Sequence, residues 1–177
     1  AGQEIRNNTP TLNEARKAIT QMLFIEGNHI CPTCEKTGNC KLQAMAYFLG
    51  MLDDHFPQFY PSRELDASHP RILLDRSRCI VCDLCVRASR EIDRKNVFVI
   101  AGRGIQAHLM VNSPSGKLVD STIDVTDVAT TICPVGAILI KEQGYQTPIG
   151  QRIYDQHTIR ETALQENMST RTKNDGD

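Results

Sequence analysis

The sequence contains no tryptophan, and aromatic residues make up only 5% of its 177 residues. Because aromatic side chains bury large apolar areas, this small share predicts a thin hydrophobic core for a chain of this length. We therefore expect bound metal centres to supply part of the folding free energy. The chain also has no run of about 18 apolar residues, the length that predicts a membrane-spanning helix.

Strong charge and the common catalytic motifs are missing as well. A formal net charge of −1 gives no reason to expect nucleic-acid binding. There is no Walker motif, nucleophile elbow or paired-carboxylate signature, and Gly102-x-Gly104 lacks the third glycine of a dinucleotide fingerprint. The polar N-terminus has no signal-peptide core. Because the sequence begins with Ala1 rather than Met, we expect a processed, tagged or partial chain.

Cysteine, in contrast, is plentiful and clustered. The chain has seven cysteines, an odd number. A disulfide scaffold usually holds an even number of cysteines and occurs in a secreted protein, so this composition argues against one. Thiolates that bind metal centres need a reducing compartment, and we therefore expect a cytoplasmic protein.

The cysteines fall into two ligand sets. Residues 29–40 have the spacing H-x-C-x2-C-x5-C, and residues 79–85 have the spacing C-x2-C-x2-C, completed by a distant cysteine that precedes Pro134. The two sets of four are His29, Cys31, Cys34 and Cys40, and Cys79, Cys82, Cys85 and Cys133. Three or four thiolates, with or without an imidazole, are the ligands that a [4Fe–4S] cubane needs. The spacing therefore predicts two [4Fe–4S] clusters and electron transfer.

Zinc is the alternative metal, because it also binds four cysteines, or three cysteines and a histidine. Zinc sites usually take their ligands as two pairs, whereas this chain places three cysteines within seven residues. A proline after the last cysteine, here Pro134, is typical of bacterial ferredoxins. We therefore favour iron–sulfur clusters and keep a zinc-stabilised interaction module as the alternative.

His29 has two interpretations. As a ligand, its neutral imidazole would make the cluster less negative and tend to raise its potential. Alternatively, it donates a hydrogen bond from outside the ligand set. The remaining histidines have no ligand neighbours and are interpreted as structural: His55, His69, His108 and His157. Four arginines surround the second set, where they offset cluster charge, contact a partner or are solvated: Arg76, Arg78, Arg87 and Arg90.

The spacing of apolar residues predicts short elements around the ligand sets. The predicted helices are residues 11–26, 41–51, 86–92 and 126–132. The predicted strands are residues 72–75, 96–101, 105–111 and 137–140. Thr11 and Glu14 match a capping box for the first helix, Gly27 suits its end, and Asp124 or Thr126 is expected to cap the last. Three prolines in residues 53–70 predict an irregular connection.

We predict an α+β chain with a small helical His-ligand [4Fe–4S] lobe followed by a ferredoxin-like [4Fe–4S] lobe. The lobes correspond to residues 1–60 and 71–143. Residues 144–177 are expected to form a C-terminal arm that is partly disordered. Disorder is predicted from Ser169 onward, because residues 169–177 have no apolar side chain.

Four stretches resemble one family: N-H-x-C-P-x-C-E-K-x-G-x-C-x-L-Q at 28–43, C-I-x-C-x-x-C-V-R at 79–87, I-C-P-V-G-A-I-L at 132–139 and G-Y-x-x-P-I-G-x-R-x-Y at 144–154. The first is similar to the His-ligated cluster domain shared by complex I large peripheral subunits, iron hydrogenases and diaphorase small subunits. The histidine lies two residues before the first cysteine here and four before it in the first two groups. The chain therefore resembles in particular the small diaphorase subunits of cytoplasmic NAD-reducing [NiFe] hydrogenases.

This resemblance implies an electron-relay subunit between a flavin-binding NAD(H) diaphorase subunit and the hydrogenase small and large subunits. It implies FMN and NAD in a partner subunit and no substrate site in this chain. Family members usually begin with a [2Fe–2S] domain, and the ligands of that domain are absent here. Either the chain starts after that domain or the protein lacks it. The alternative within oxidoreductases is the matching part of a complex I or formate dehydrogenase assembly.

Overall fold

The structure is a computed structural model that describes residues 2–53 and 56–174, with side chains described as far as Glu166. The predicted mixture of helices and strands is confirmed. The helices are α1 (Pro10–Glu26), α2 (Lys41–Phe48), α3 (Leu84–Arg87), α4 (Val128–Thr131), α5 (Ile153–Gln156) and α6 (Ile159–Asn174). The strands are β1 (Leu65–Asp66), β2 (Ile72–Asp75), β3 (Phe98–Ala101), β4 (His108–Val111) and β5 (Ile138–Ile140). None of the helices in the described chain has the length and apolar character that a membrane crossing requires.

Helix α1 begins slightly earlier than predicted and has a different cap. The hydroxyl oxygen of Thr9 accepts a hydrogen bond from the N–H of Leu12 at 3.3 Å, and Pro10 occupies the first turn. Proline suits that position because its missing N–H would have no partner within the helix. The predicted capping box at Thr11 and Glu14 is therefore wrong. The helix ends before Gly27, as predicted.

The strands form two small antiparallel sheets. Strand β2 lies at the centre of the first sheet and pairs with β1 and β5, so that Leu73 lies opposite Leu139. Strands β3 and β4 form a separate hairpin. The predicted strands are confirmed with small differences at their ends, whereas β1 lies in the segment for which an irregular connection is predicted. Ile72 and Leu74 of β2 are completely buried, which places this strand in the core.

Two short helices place ligands of the second set. Helix α3 carries Cys85 and continues as a π-helical turn over Ala88–Ile92. Helix α4 leads to Cys133, but neither of its predicted caps is right, since Asp127 precedes the helix. The N–H groups of Val128 and Ala129 donate instead to the carboxylate of Asp93, at 2.9 and 3.0 Å. This carboxylate therefore satisfies backbone donors at the start of α4.

One hydrophobic cluster contains residues from both predicted lobes. Phe24 and Leu42 belong to it, and so does Ile72 of the central strand. A backbone hydrogen bond from the N–H of Asn28 to the carbonyl oxygen of Ser77, 2.8 Å long, also joins the two parts. The two ligand loops are thus held against each other by packing and by the backbone.

The C-terminal arm is helical over much of its length. Helices α5 and α6 together extend from Ile153 to Asn174. The backbone of residues 169–174 is helical, and the disorder predicted from Ser169 onward stays a prediction. Residues 175–177 lie outside the described residues. The division of the chain into residues 1–60, 71–143 and 144–177 stays a prediction.

We expect Asp93→Ala to lower the free energy of unfolding by about 1–2 kcal/mol, because it leaves two N–H groups of α4 without their acceptor. Asp120→Ala is the matched control, since Asp120 is an exposed carboxylate at the end of the 3-10 turn Leu118–Asp120. Urea denaturation of the two variants and the unchanged protein, under anaerobic conditions, measures the difference. Equal unfolding midpoints for the two variants would show that Asp93 does not stabilise α4.

Candidate metal centres

The four residues of the first predicted set line one pocket. Its volume is about 340 Å³, part of it open to solvent, and the set that lines it is His29, Cys31, Cys34 and Cys40. Cys31 begins a 3-10 turn, Cys31–Thr33, and Cys40 lies at the N-cap of α2. The loop between these two elements therefore turns all three thiols of the first set toward the same space.

Hydrogen bonds within the first ligand loop hold its shape. The hydroxyl of Thr37 donates to the carbonyl oxygen of Cys31. The N–H of Gly38 donates to the side-chain oxygen of Gln43 at 2.8 Å, in a buried position. Gly38 has a φ of +78°, in the left-handed region that favours glycine. Gln43 is a buried polar residue whose role is not predicted from the sequence.

His29 is half-buried and lines the first pocket, and its Nε2 atom is buried. Its Nε2 atom has no hydrogen-bond partner among the described residues. Burial, followed by the charges of Arg78 and Arg63, lowers the pKa of His29 from 6.5 to about 4, so the imidazole is neutral at pH 7. A Cβ on Gly27 would lie 2.6 Å from Nε2, so glycine at that position leaves room for the ring. A buried, neutral imidazole with an unpaired nitrogen has the chemistry of a metal ligand.

The four residues of the second predicted set line another pocket of about 340 Å³, also partly open: Cys79, Cys82, Cys85 and Cys133. Most of the other side chains around it are aliphatic, among them Ile100, Leu109 and Val135. The structure therefore brings together the residues of each predicted set and keeps the two sets apart. The distant Cys133 lies with the second set.

The C-x2-C-x2-C loop has an unusual backbone. Val81 and Asp83 have φ values of +53° and +66°, in the left-handed region. This conformation is a rare one for a β-branched residue such as Val81, and such residues cluster at functional sites. The N–H of Val81 donates to the Sγ of Cys79, with the two atoms 3.4 Å apart. The loop conformation thus directs a backbone donor to a ligand sulfur.

The thiols lie where a lone negative charge is unfavourable. Burial raises the pKa of Cys40 to about 11. Burial, followed by repulsion from the neighbouring thiolates of the set, raises the pKa of Cys85 further. The pKa values of Cys79 and Cys82 are also raised, chiefly by burial. None of the seven cysteines forms a disulfide. A cation bound by each set would stabilise the thiolates.

The two sites are directly connected. The N–H of Lys41, next to Cys40, donates to the carbonyl oxygen of Pro134, next to Cys133, at 2.8 Å. In addition, a Cβ on Gly136 would lie 3.0 Å from the Sγ of Cys34. The chain after the second set therefore packs against the first.

The arginines near the second set have different surroundings. Arg78 lines the first pocket rather than the second, with its Nη1 3.7 Å from the Sγ of Cys34. Arg76 donates through Nε to the carbonyl oxygen of Leu109 at 3.1 Å. Arg87 and Arg90 are exposed beside Glu91. The expectation that all four surround the second set is therefore wrong for Arg78.

The structural interpretation of the other histidines agrees with their contacts where these are described. The Nδ1 of His69 accepts hydrogen bonds from the N–H groups of Arg71 and Ile72, both at 3.1 Å. His108 and His157 are exposed, and His55 lies outside the described residues. Neither cysteine pocket is lined by His69, His108 or His157.

The C-terminal arm is tied to the first ligand loop, a contact that is not predicted from the sequence. Four hydrogen bonds from the arm reach the loop: Tyr145 hydroxyl to Thr33 O (2.7 Å), Arg152 Nη1 to Thr37 O (3.3 Å), Tyr154 N–H to Gly38 O (2.9 Å) and Ile153 N–H to Asn39 Oδ1 (2.9 Å). Arg152 also forms an ion pair with Asp155 at 2.7 Å, and its side chain packs over Gly38. The arm therefore covers and braces the loop between Cys31 and Cys40.

We expect Arg152→Ala to loosen this arm, because it removes both the contact with the loop and the ion pair with Asp155. Limited proteolysis should then cut the arm several-fold faster. If iron occupies both sites, a chelator should remove it from the first site several-fold faster than from the second. Arg160→Ala is the control, since Arg160 is an exposed arginine on the same arm. Equal cleavage and equal iron loss in the two variants would contradict a bracing role.

Comparison with known protein families supports the two ligand regions. Residues 16–55 match the family described as NADH-ubiquinone oxidoreductase-G iron-sulfur binding region. Residues 72–140 match the family described as 4Fe-4S single cluster domain. The first match contains the whole first ligand set, and the second match contains the whole second set. Both regions are therefore related to iron–sulfur domains.

Individual relatives come from two kinds of enzyme. A subunit of the NADH-quinone oxidoreductase of Rhizobium meliloti is 30% identical over 78% of this chain and 16% of its own length. The chain is also similar to a chain of a solved structure, the NAD+-reducing [NiFe]-hydrogenase in the H2-reduced state, with 51% identity and a TM-score of 0.82. The match covers 84% of this chain and 63% of that chain, so this chain spans less than two thirds of its length.

The gamma subunit of the NAD-reducing hydrogenase HoxS from Cupriavidus necator is 38% identical to this chain. That similarity extends over 93% of this chain and 70% of the relative. It therefore includes both cysteine pockets and is not limited to the cluster motifs. The chain belongs to the family of NAD-reducing hydrogenase gamma subunits.

Proposed function

We propose that this chain relays electrons through two [4Fe–4S] clusters in an NAD-reducing hydrogenase. The first cluster would be bound by His29, Cys31, Cys34 and Cys40, and the second by Cys79, Cys82, Cys85 and Cys133. The observation that carries the proposal is that each of two separate pockets is lined by one complete set of four ligands. Membership of the gamma-subunit family supports the electron-transfer role.

The chemistry of the donors fits iron–sulfur clusters. The raised pKa values of Cys40 and Cys85 come first from burial, and iron would offset this cost by binding the thiolates. The Nε2 atom of His29 is buried without a hydrogen-bond partner in the described chain, and its lone pair would bind iron. This favours His29 as a ligand over His29 as a hydrogen-bond donor.

A bound [4Fe–4S] cluster accepts and releases one electron. The chain's own residues would control how readily this happens. The aliphatic lining formed by Ile100, Leu109 and Val135 lowers the polarity of the second site, and low polarity disfavours added negative charge. The N–H of Val81 favours added negative charge at this site, because a donor to the Sγ of Cys79 stabilises negative charge on sulfur.

The geometry of the donors also bears on the zinc alternative. Within the described residues, no three His, Cys, Asp or Glu side chains converge closely enough to hold a single metal ion. Zinc would need its ligands about 2.0–2.3 Å from one point. Thiols that line one pocket without converging on a single point suit a larger group with several metal corners. This observation favours the cubane over zinc at both sites.

The partners follow from the relatives. The names of the gamma subunit and of the solved hydrogenase describe reduction of NAD and a [NiFe] centre. This sequence lacks a dinucleotide fingerprint, and all of its cysteines fall into the two proposed cluster sets. We therefore assign FMN and NAD to a flavin-binding diaphorase subunit and hydrogen activation to the hydrogenase small and large subunits. This chain would carry electrons between them without a substrate site of its own.

The equivalent part of a complex I assembly is the second candidate. Its support is the family match at residues 16–55 and the 30% identity with the Rhizobium meliloti relative. However, that match covers only 16% of the relative, against 70% of the hydrogenase gamma subunit. The subunits that purify with the chain distinguish the two, because a nickel-containing partner indicates hydrogenase and quinone-linked membrane partners indicate complex I.

We expect anaerobically purified protein to contain about eight iron atoms and about eight sulfides per chain, four of each for every cubane. Cys133→Ala should reduce both values to about half and abolish the electron paramagnetic resonance (EPR) signal of the second cluster alone. Cys40→Ala should give the same loss and abolish the other signal. Zinc at one equivalent per site, without sulfide, would overturn the cluster assignment.

We expect the intact complex to reduce NAD with H2 and to lose at least nine tenths of this activity when Cys133 is replaced by alanine. The partial reactions identify the relay role. Hydrogen-dependent reduction of an artificial acceptor at the hydrogenase and NADH-dependent dye reduction at the flavin should both continue. If Cys133→Ala abolished either partial reaction in a fully assembled complex, the chain would be more than a relay.

A further inference from the structure

The guanidinium of Arg78 lies at the first pocket, although Arg78 precedes Cys79 of the second set. Its Nη1 donates to the Sγ of Cys34 over 3.7 Å. The side chain is only 19% exposed. A positive donor from the second part of the chain thus reaches a ligand sulfur of the first site.

Two carboxylates fix this guanidinium. Nη1 lies 2.6 Å from an oxygen of Glu35, and Nε lies 2.9 Å from an oxygen of Asp75. The carboxylate of Asp75 in turn accepts a hydrogen bond from the N–H of Ser77 at 3.0 Å. The planar group is therefore held from both sides, and its orientation toward Cys34 does not depend on solvent.

Glycine at position 136 leaves space for this contact. A Cβ there would lie 3.0 Å from the Sγ of Cys34 and 3.4 Å from the Nη1 of Arg78. The distance to the sulfur is tighter than most real Cβ contacts, and the distance to Nη1 is at the lower limit of ordinary packing. The close approach of guanidinium and sulfur is therefore accommodated by the backbone that follows the second set.

The two pockets differ in charge. Arg78 is the charged side chain that lines the first pocket, where His29 is neutral. Asp83 is the charged side chain, apart from the thiols, that lines the second pocket. Adding an electron to a cluster adds one negative charge, which a nearby cation favours and a nearby anion opposes. Glu35 and Asp75 offset part of the charge of Arg78, but the guanidinium, and neither carboxylate, lines the first pocket and donates to a ligand sulfur. The hydrogen bond to Cys34 therefore favours added negative charge at the first site, whereas Asp83 opposes it at the second.

We propose that Arg78 is a positioning residue that raises the reduction potential of the first cluster by donating to the Sγ of Cys34. The proposal rests on the two clusters of the proposed function. Its effect is selective, because the guanidinium contacts a sulfur of the first set. Arg78 therefore helps to set the difference in potential between the two clusters and so the direction in which an electron passes between them.

The test is an EPR-monitored redox titration of both clusters in the intact complex. Arg78→Gln should lower the midpoint potential of the first cluster, so that its oxidised-to-reduced ratio at a fixed potential rises about tenfold, a shift of about 59 mV for one electron. The second cluster should shift less. Arg78→Lys, which keeps the charge but not the planar fork, should give a smaller shift in the same direction. Arg87→Gln, which removes an exposed arginine beside Cys85, is the control for a general loss of charge.

The outcomes separate this inference from the proposed function. If the unchanged complex has no pair of cluster signals, the proposed function fails. If both signals are present and Arg78→Gln shifts the first midpoint no more than Arg87→Gln does, only the role of Arg78 fails.

A second measurement uses the unchanged complex and does not depend on whether the variant folds. Arginine labelled with 15N only in its guanidino group should produce a 15N coupling in the pulsed EPR spectrum of the first cluster. The spectrum of the second cluster should have a weaker coupling or none. A first-cluster spectrum without this coupling would overturn the proposal.

Discussion

The structure depends on gathering thiolates where burial disfavours their charge. The pKa of Cys40 is raised to about 11 by burial, and the pKa of Cys85 is raised by burial together with the neighbouring thiolates. Buried anions are stable only beside positive charge, which iron supplies when it binds. Cluster binding and folding are therefore linked in the proposed holoprotein. The low aromatic content and the short strands around both pockets agree with a fold that metal centres help to stabilise.

Much of the fold could be predicted because its signals are local. The apolar run of β2 and the periodicity of α1 lie within single segments, and both elements are found where they are predicted. The cap of α4 could not be predicted in this way, because its acceptor, Asp93, is 35 residues away from Val128. The C-terminal arm has a similar explanation. Its contacts with the first ligand loop could not be predicted, because the partners of Arg152 and Ile153 are 115 and 114 residues away along the chain.

In the candidate sites, too, local patterns could be predicted from the sequence and contacts between distant residues could not. The cysteines of each set could be identified because their spacing is a local pattern, and counting alone paired Cys133 with the second set. The direction in which the side chain of Arg78 points could not be predicted. Its sequence neighbour Cys79 belongs to the second site, whereas the long side chain of Arg78 reaches Cys34 of the first. The role of Gln43 was missed for the same reason. A buried amide in a helix has no sequence signal until its partner, the N–H of Gly38, is known.

The hydrogen bond between the N–H of Lys41 and the carbonyl oxygen of Pro134 has a consequence for electron movement. It joins the residue after Cys40 to the residue after Cys133, so one short chain of covalent bonds and a single hydrogen bond connects a sulfur of each site. If both sites hold clusters, this bridge offers electrons a tunnelling route through bonds rather than through space. Because backbone atoms form the bridge, the coupling between the clusters would survive drift in the surrounding side chains.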